Sequence, residues 1–236
     1  MGAPSDDAAG HRRLEEWAAE QRELTERRAQ IPEREPFWDR FANRFLDRGL
    51  HTGGRNFERE HLDIGRLGYV ASAWRTLPRA LRHIGVSTDD VFIDFGCGKG
   101  RVVHQAAKRR FRKVIGVEIS PALADVAREA LEAKRRRHRC KDVEIVVADA
   151  REYAVPDDLT IVYFFHPFFG ETLDVVLGNI IESIDRNPRR VSIIYSYPLA
   201  GDQVLATNRF RVVKHLRGSL RRAGNSLHRT NIYESC

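Results

Sequence analysis

The hydrophobic rhythm of this chain changes near Gly85. Before it, apolar residues recur at helical spacing. Leu14, Trp17 and Ala18, with Leu24 beyond, predict a helix over His11–Gln30, ended by Ile31-Pro32. Phe37, Phe41 and Phe45 predict a second helix over Pro36–Asp47, with proline at its first position. A glycine-containing loop, His51–Asn56, follows. Val70, Ala73, Trp74, Leu77, Leu81 and Ile84 then form one stripe, which predicts a third helix over Tyr69–Ile84 kinked at Pro78.

After Gly85, short continuous apolar runs alternate with helical stripes. The runs Val91–Phe95, Lys113–Glu118, Val143–Ala148, Thr160–Phe165 and Val191–Tyr197 predict five strands. Two more are expected at Phe210–Leu216 and Ser226–Tyr233. Helices are expected around Val102–Ala107, from Ser120-Pro121 to about Arg137, and along the Leu173–Ile184 stripe. Near-continuous apolar strands that alternate with helices mean a buried parallel sheet. The expected fold is therefore α/β: a seven-stranded, mostly parallel Rossmann-like sheet with helices on both faces, preceded by N-terminal helices. Residues 1–65 form a helical extension in this reading, a lid or a dimer contact, and 66–236 the main domain.

In open sheets of this kind, ligands bind beyond the carboxyl ends of the strands. The first of these strands ends in Asp94-Phe-Gly-Cys-Gly-Lys-Gly100. Gly96, Gly98 and Gly100 let the backbone turn sharply and approach a ligand closely, and Cys97 fills a place where only a small residue fits. The helix that follows is expected to offer free N–H groups. The spacing is neither G-x-G-x-x-G nor that of a P-loop. The second strand ends at Glu118, about 20 residues further on, which is one βαβ step; a carboxylate there can accept both hydrogen bonds of a ribose diol. The third ends at Asp149, placed to accept from an adenine amino group. Ile119 and Ala150, directly after the two acids, complete the expected cofactor-binding set.

The fourth strand runs into Phe164-Phe-His-Pro-Phe-Phe169. His166 can serve as a general base, since imidazole titrates near neutrality. It can equally orient an acceptor or cap the strand. Pro167 and Phe168 would form an apolar wall against the substrate. Tyr195 and Tyr197, at the end of the fifth strand, either line an acceptor pocket or pack on the last helix.

The glycine loop with its preceding aspartate resembles motif I of class I S-adenosylmethionine-dependent methyltransferases. From about Thr52 to Tyr233 the chain is similar to a large bacterial group of these enzymes, through Gly68–Ser72, Phe92–Val103, Gly116–Glu118, Asp149-Ala150 and Phe164–Phe168. Asn stands before the Pro-Phe in most of that group, where this chain has His166. A weaker likeness connects the same stretches to the non-SET histone lysine methyltransferases. It implies that Tyr69 closes over the methionine end of the cofactor, and Tyr69 and Tyr195 rank behind His166 as candidate bases. The resemblance implies S-adenosylmethionine as cofactor and S-adenosylhomocysteine as product. No metal is expected, because His166 stands where magnesium-dependent relatives carry a carboxylate.

Composition narrows the classes. Apolar residues make up 42% of the 236, enough for a globular core. No apolar run reaches the ~18–20 residues of a membrane span, so no membrane association is expected. Nor is there a basic-then-apolar leader pattern. Cys97, Cys140 and Cys236 lie far apart with no CxxC pair, which argues against a zinc site or disulfide framework and for the cytoplasm. The net charge of +7 admits an acidic protein or nucleic-acid partner. The densest basic run, Lys134–Lys141, also suits the end of a helix. The expected acceptor is a small molecule, with a protein lysine or nucleic acid as second reading and a non-catalytic cofactor-binding role as third. A homodimer is compatible with all three.

Overall fold

The structure, a computed structural model, describes residues 50, 52, 55–56, 69–165, 168–216 and 229–236, with 55–56 and 69–70 described by backbone alone. All lie in the unit Pro36–Cys236. The helices expected over 11–30 and 36–47 fall outside these residues, as does most of the expected 1–65 extension.

Seven strands form the main sheet: β3 (Val91–Phe95), β4 (Lys113–Glu118), β5 (Asp142–Val147), β6 (Leu159–Phe165), β7 (Ser192–Ser196), β8 (Phe210–Leu216) and β9 (Thr230–Ser235). Their spatial order is β5-β4-β3-β6-β7-β9-β8. The first five run parallel, and β9 inserts antiparallel between β7 and β8. The mostly parallel seven-stranded sheet expected from the sequence is thus present. The last strand is Thr230–Ser235, and residues 226–228 of the expected run lie outside the described residues. A separate small pair joins β1 (Arg55–Asn56) to β2 (Tyr69–Val70).

Five helices connect these strands: α1 (Thr76–Ile84), α2 (Arg101–Ala107), α3 (Pro121–Ala133), α4 (Glu171–Arg186) and α5 (Gly201–Ala206). The long helix expected over Tyr69–Ile84 is shorter. It begins at Thr76, and Tyr69–Val70 are strand instead. Proline has no N–H and clashes with the preceding turn inside a helix, but the first turn needs no such donor. Pro78 therefore sits in the first turn of α1, and the expected kink does not arise. The helix expected from Ser120 to about Arg137 stops at Ala133, and Arg135–Arg137 form a separate 3-10 turn. Ser120 caps α3 as expected, accepting from the Leu123 N–H at 3.4 Å.

Period-two alternation divides the sheet between two cores. On one face Phe92, Val114, Ile161, Tyr163 and Ile194 pack under α1, α2 and α3, through Leu77, Leu81, Val103 and Ala127. The neighbouring positions Ile93, Phe95, Val162, Phe164 and Ile193 point the other way and are fully buried too. The Leu173, Val176, Leu177, Ile180 and Ile184 stripe of α4 is buried with them. The central strand β3 is buried along its whole length. The carboxyl ends of β3, β4 and β5 therefore lie side by side along one edge of the sheet.

Candidate functional site

Asp94 is the fourth residue of β3 and only 3% exposed. Burial, and then the nearby Glu118 carboxylate, push its acid well above the usual carboxylate range. Just beyond it the chain turns into the glycine loop. Gly96, Gly98 and Gly100 have φ of 74°, 53° and 74°, all in the left-handed region that a Cβ disfavours. The alternation of glycines seen in the sequence has this backbone cause. The amides of Gly96 and Cys97 both donate to the Val117 carbonyl, at 2.9 and 3.1 Å, and fasten the loop to the end of β4.

Glu118 completes the fastening. Its Oε2 accepts the Gly98 N–H at 2.7 Å and its Oε1 the Ser120 N–H at 3.0 Å. The carboxylate is buried and spans the loops after β3 and β4. Each carboxylate oxygen can accept more than one bond, so the same group can hold the loop and receive a diol. The Ala148 N–H donates to the Glu118 carbonyl at 3.0 Å, which stitches the end of β5 alongside. Asp94, Glu118 and Asp149, read from three separate stretches of sequence, therefore stand at three adjacent strand ends.

Two close contacts keep the loop thin. A Cβ at Gly100 would meet the Ala127 Cβ of α3 at 2.9 Å. One at Gly116 would meet Cys97 Sγ at 2.7 Å, Ile145 Cδ1 at 2.7 Å and Val103 Cγ2 at 2.9 Å. Cys97 is thus a packing residue seated over Gly116. Burial, Asp94 and Glu118 push its thiol up, away from the reactive thiolate.

Several features of the site carry no signal in the sequence pattern. Arg151 encloses Asp149: its backbone N–H and Nε donate to Oδ1 at 3.0 and 3.1 Å, and Nη2 donates to Oδ2 at 2.7 Å. Arg101, only 3% exposed, reaches from the start of α2 to Thr52 Oγ1 at 3.1 Å and the Ser72 carbonyl at 3.0 Å, with its guanidinium 5.1 Å from the Trp74 ring centre. The Ser72 hydroxyl in turn meets the buried Tyr163 phenol of β6 at 2.5 Å. Gln203 clasps Gly170 through both amide atoms, at 3.0 and 3.1 Å, just after the Phe168-Phe169 pair.

On the acceptor side, Phe168 is buried and packs edge-on against Phe164, with ring centres 5.8 Å apart. His166, Pro167 and the Tyr69 side chain lie outside the described residues. Tyr195, expected as an acceptor contact, is fully buried instead. It packs on Phe164, and its phenol bonds the Ala200 backbone. The β7 register turns it into the core. Tyr197, two residues on, is half-buried beside Phe165 with ring centres 5.2 Å apart. Its φ of 53° is uncommon for a bulky residue, and such outliers cluster at functional sites. Ile119 and Ala150, the residues directly after Glu118 and Asp149, are half-buried.

Comparison with known proteins agrees with this architecture. Residues 92–187 match the methyltransferase domain family model. Over this span, less than half of its length, the chain carries a methyltransferase domain. The match runs from the second residue of β3 to just past the end of α4, so it contains all three strand-end acids. Two curated relatives are protein-lysine methyltransferases. The H3 lysine-79-specific histone-lysine N-methyltransferase of Dictyostelium discoideum is 43% identical over 130 residues, covering 49% of this chain and 7% of its own. The protein-lysine N-methyltransferase of Saccharolobus islandicus is 31% identical over 93 residues, covering 37% and 58%. This chain thus spans less than two thirds of either. Among solved structures, a Pyrococcus horikoshii OT3 protein superposes with a TM-score of 0.54 at 15% identity, over 83% of this chain and 99% of that one. Precorrin 8w decarboxylase of Methanobacterium thermoautotrophicum gives 0.51 at 22%, over 72% and 93%. These two likenesses concern the fold. Among the described residues, no group of three or more His, Cys, Asp or Glu could hold a metal. None of their helices is long and apolar enough to cross a membrane.

Proposed function

We propose that this protein transfers a methyl group from S-adenosylmethionine to an amine, with a protein lysine as the acceptor. The cofactor half rests above all on Glu118, held by the Gly98 and Ser120 amides at the point where a ribose would lie. Buried carboxylates, a loop turned by three left-handed glycines and an acid at the next strand end suit a cationic nucleoside. Asp94 would face the amino acid end, Glu118 the ribose and Asp149 the adenine. The cofactor supplies an activated methyl on sulfur. The chain's own residues have only to orient the acceptor in line with it, which can lower the barrier by several kcal/mol.

The lysine half rests on the two curated relatives, and the aromatic setting is compatible with it. Phe165, Phe168 and Tyr197 lie at or just past the ends of β6 and β7. An apolar wall there would accept a lysine stem and, by desolvation, favour the neutral amine that must attack. A small-molecule amine would use the same wall and is the second reading. Incubation with methyl-labelled S-adenosylmethionine and either a lysine-rich protein mixture or a panel of small amines distinguishes them. Label on protein lysines supports the proposal. Label on small amines alone replaces the acceptor, and S-adenosylhomocysteine that fails to bind overturns the whole reading.

A further inference from the structure

The opposite end of the sheet carries a feature that methyl transfer does not use. Lys108–Arg110 follow α2, and Lys134–Lys141 follow α3. The amides of Arg139 and Cys140 both donate to the Ala107 carbonyl, at 2.8 and 3.0 Å, so the two basic segments are stitched together. Arg109, Arg110, Arg135, Arg136, Arg137 and Arg139 are exposed. Together the segments hold nine cations, more than the +7 net charge of the whole chain. The Lys108 ammonium is pulled below its usual range by burial and by Arg137 and Lys134, which places these charges close together. Glu132 meets Arg135 at 3.8 Å, while the nearby Asp158 and Glu144 are tied to Arg112 and Lys113.

We infer that this surface docks the phosphate backbone of double-stranded DNA. Guanidinium forks fit phosphate oxygens bidentately. A docked protein segment would need apolar anchors, but the exposed large hydrophobics among the described residues are Val147, Val175, Leu205 and Val213, all outside the two segments. A single strand would need exposed aromatic rings to stack on. The only ring within the two segments is His138, and it is buried. Duplex RNA is read largely through its 2′-hydroxyls, and neither segment contains Ser, Thr, Asn or Gln. Uniform backbone charge is what remains to be recognised. Both segments precede the amino ends of β4 and β5, whereas Glu118 and Asp149 lie at or just beyond the carboxyl ends, roughly 17 Å away along a strand. The duplex is therefore a tether and not the methyl acceptor, and the docking is independent of the cofactor reading.

The test is fluorescence anisotropy with a labelled duplex of about 20 base pairs across a salt series near physiological strength. Arg135→Ala/Arg136→Ala/Arg137→Ala should weaken binding at least tenfold and flatten the log Kd against log salt slope by about 2 to 3. A control with the same charge loss elsewhere, Arg190→Ala/Arg211→Ala/Lys214→Ala, should leave both nearly unchanged. S-adenosylhomocysteine affinity should be equal in all three proteins, which also reports that they are folded. Equal losses in the two triple variants overturn the inference, since the binding is then diffuse. Tighter binding of duplex RNA, a polyglutamate peptide or phosphatidylserine vesicles than of the DNA overturns it as well.

Discussion

Glu118 and Gly98 are joined by a 2.7 Å hydrogen bond across 20 residues of chain, so one carboxylate holds the loop that follows the preceding strand. Ligand binding and loop order are therefore properties of the same side chain. Glu118→Ala removes the acceptor for two buried amides. Hydrogen bonds to a charged group contribute about 1.5–3 kcal/mol, so unfolding free energy should fall by about 2 kcal/mol. S-adenosylhomocysteine affinity should drop by more than tenfold in calorimetric titration. Full affinity in the variant would remove Glu118 from the site.

Gly116 tests the support of the same loop from below. A methyl group there would lie 2.7 Å from both Cys97 Sγ and Ile145 Cδ1, inside a packed core. Overpacking of this kind costs about 1–3 kcal/mol. Gly116→Ala should lose that much stability in a denaturant melt. Gly116→Ala combined with Cys97→Gly should regain part of it by vacating the space. A double variant no more stable than the single one would place the strain elsewhere.

How much of this was legible beforehand depends on the range of the forces involved. Val91–Phe95, Lys113–Glu118 and Phe210–Leu216 read as strands with the observed bounds, the first two because each is a near-continuous apolar run closed by a turn signal. Asp94, Glu118 and Asp149 were legible as strand-end acids once those runs were placed. The start of α1 was not, because the stripe from Val70 continues unbroken into it and only the position of Pro78 in the first turn distinguishes the two. Nor were the partners of the acids: that Glu118 bonds Gly98, that Arg151 encloses Asp149 and that Arg101 reaches Ser72 depends on tertiary approach. Tyr195 and Tyr197 share a face in an ideal strand, and Tyr197 departs from Tyr195 because β7 ends at Ser196 and the backbone turns into the left-handed region.

The raised acidity range of Asp94 predicts proton release on cofactor binding. Burial and the Glu118 charge keep Asp94 protonated to higher pH than an exposed carboxylate. In the unliganded protein the folded state holds that proton more tightly than the unfolded chain, so the group's contribution to stability is lost as pH rises through its folded value. A bound ammonium beside Asp94 reverses the preference and expels the proton. S-adenosylhomocysteine affinity should therefore rise with pH from the ordinary carboxylate range up through the raised value and then level off. Calorimetry in buffers of different ionisation enthalpy measures the released proton directly. Asp94→Asn should abolish both the release and the slope; a slope that survives belongs to another group.

A second titration is built into the far end of α2. His104 Nδ1 and His138 Nε2 meet at 2.9 Å, and both rings are buried, at 1% and 6% exposure. One ring must donate and the other accept, so the pair cannot be doubly protonated. Burial, then Lys108, His138, Lys134 and Arg137, lower His104 to about 3; burial, Lys108 and Lys141 lower His138 against the opposing pull of Glu132. The unfolded chain takes up these protons near pH 6.5, and the folded state resists until lower pH, for His104 until about 3. The unfolded state binds more protons between those values, so stability is complete above about pH 6.5 and falls as pH drops toward 3. From pH 7 to 5, His104 alone should cost about 2 kcal/mol. His104→Leu/His138→Leu replaces both partners by apolar groups, a change that can be nearly neutral for a buried pair. His104→Leu alone strands the His138 ring and should lose about 1–3 kcal/mol at neutral pH. Denaturant melts across this range should show the wild-type curve converging on, or crossing, that of the double variant as pH falls. Parallel curves would mean that the pair does not titrate with folding.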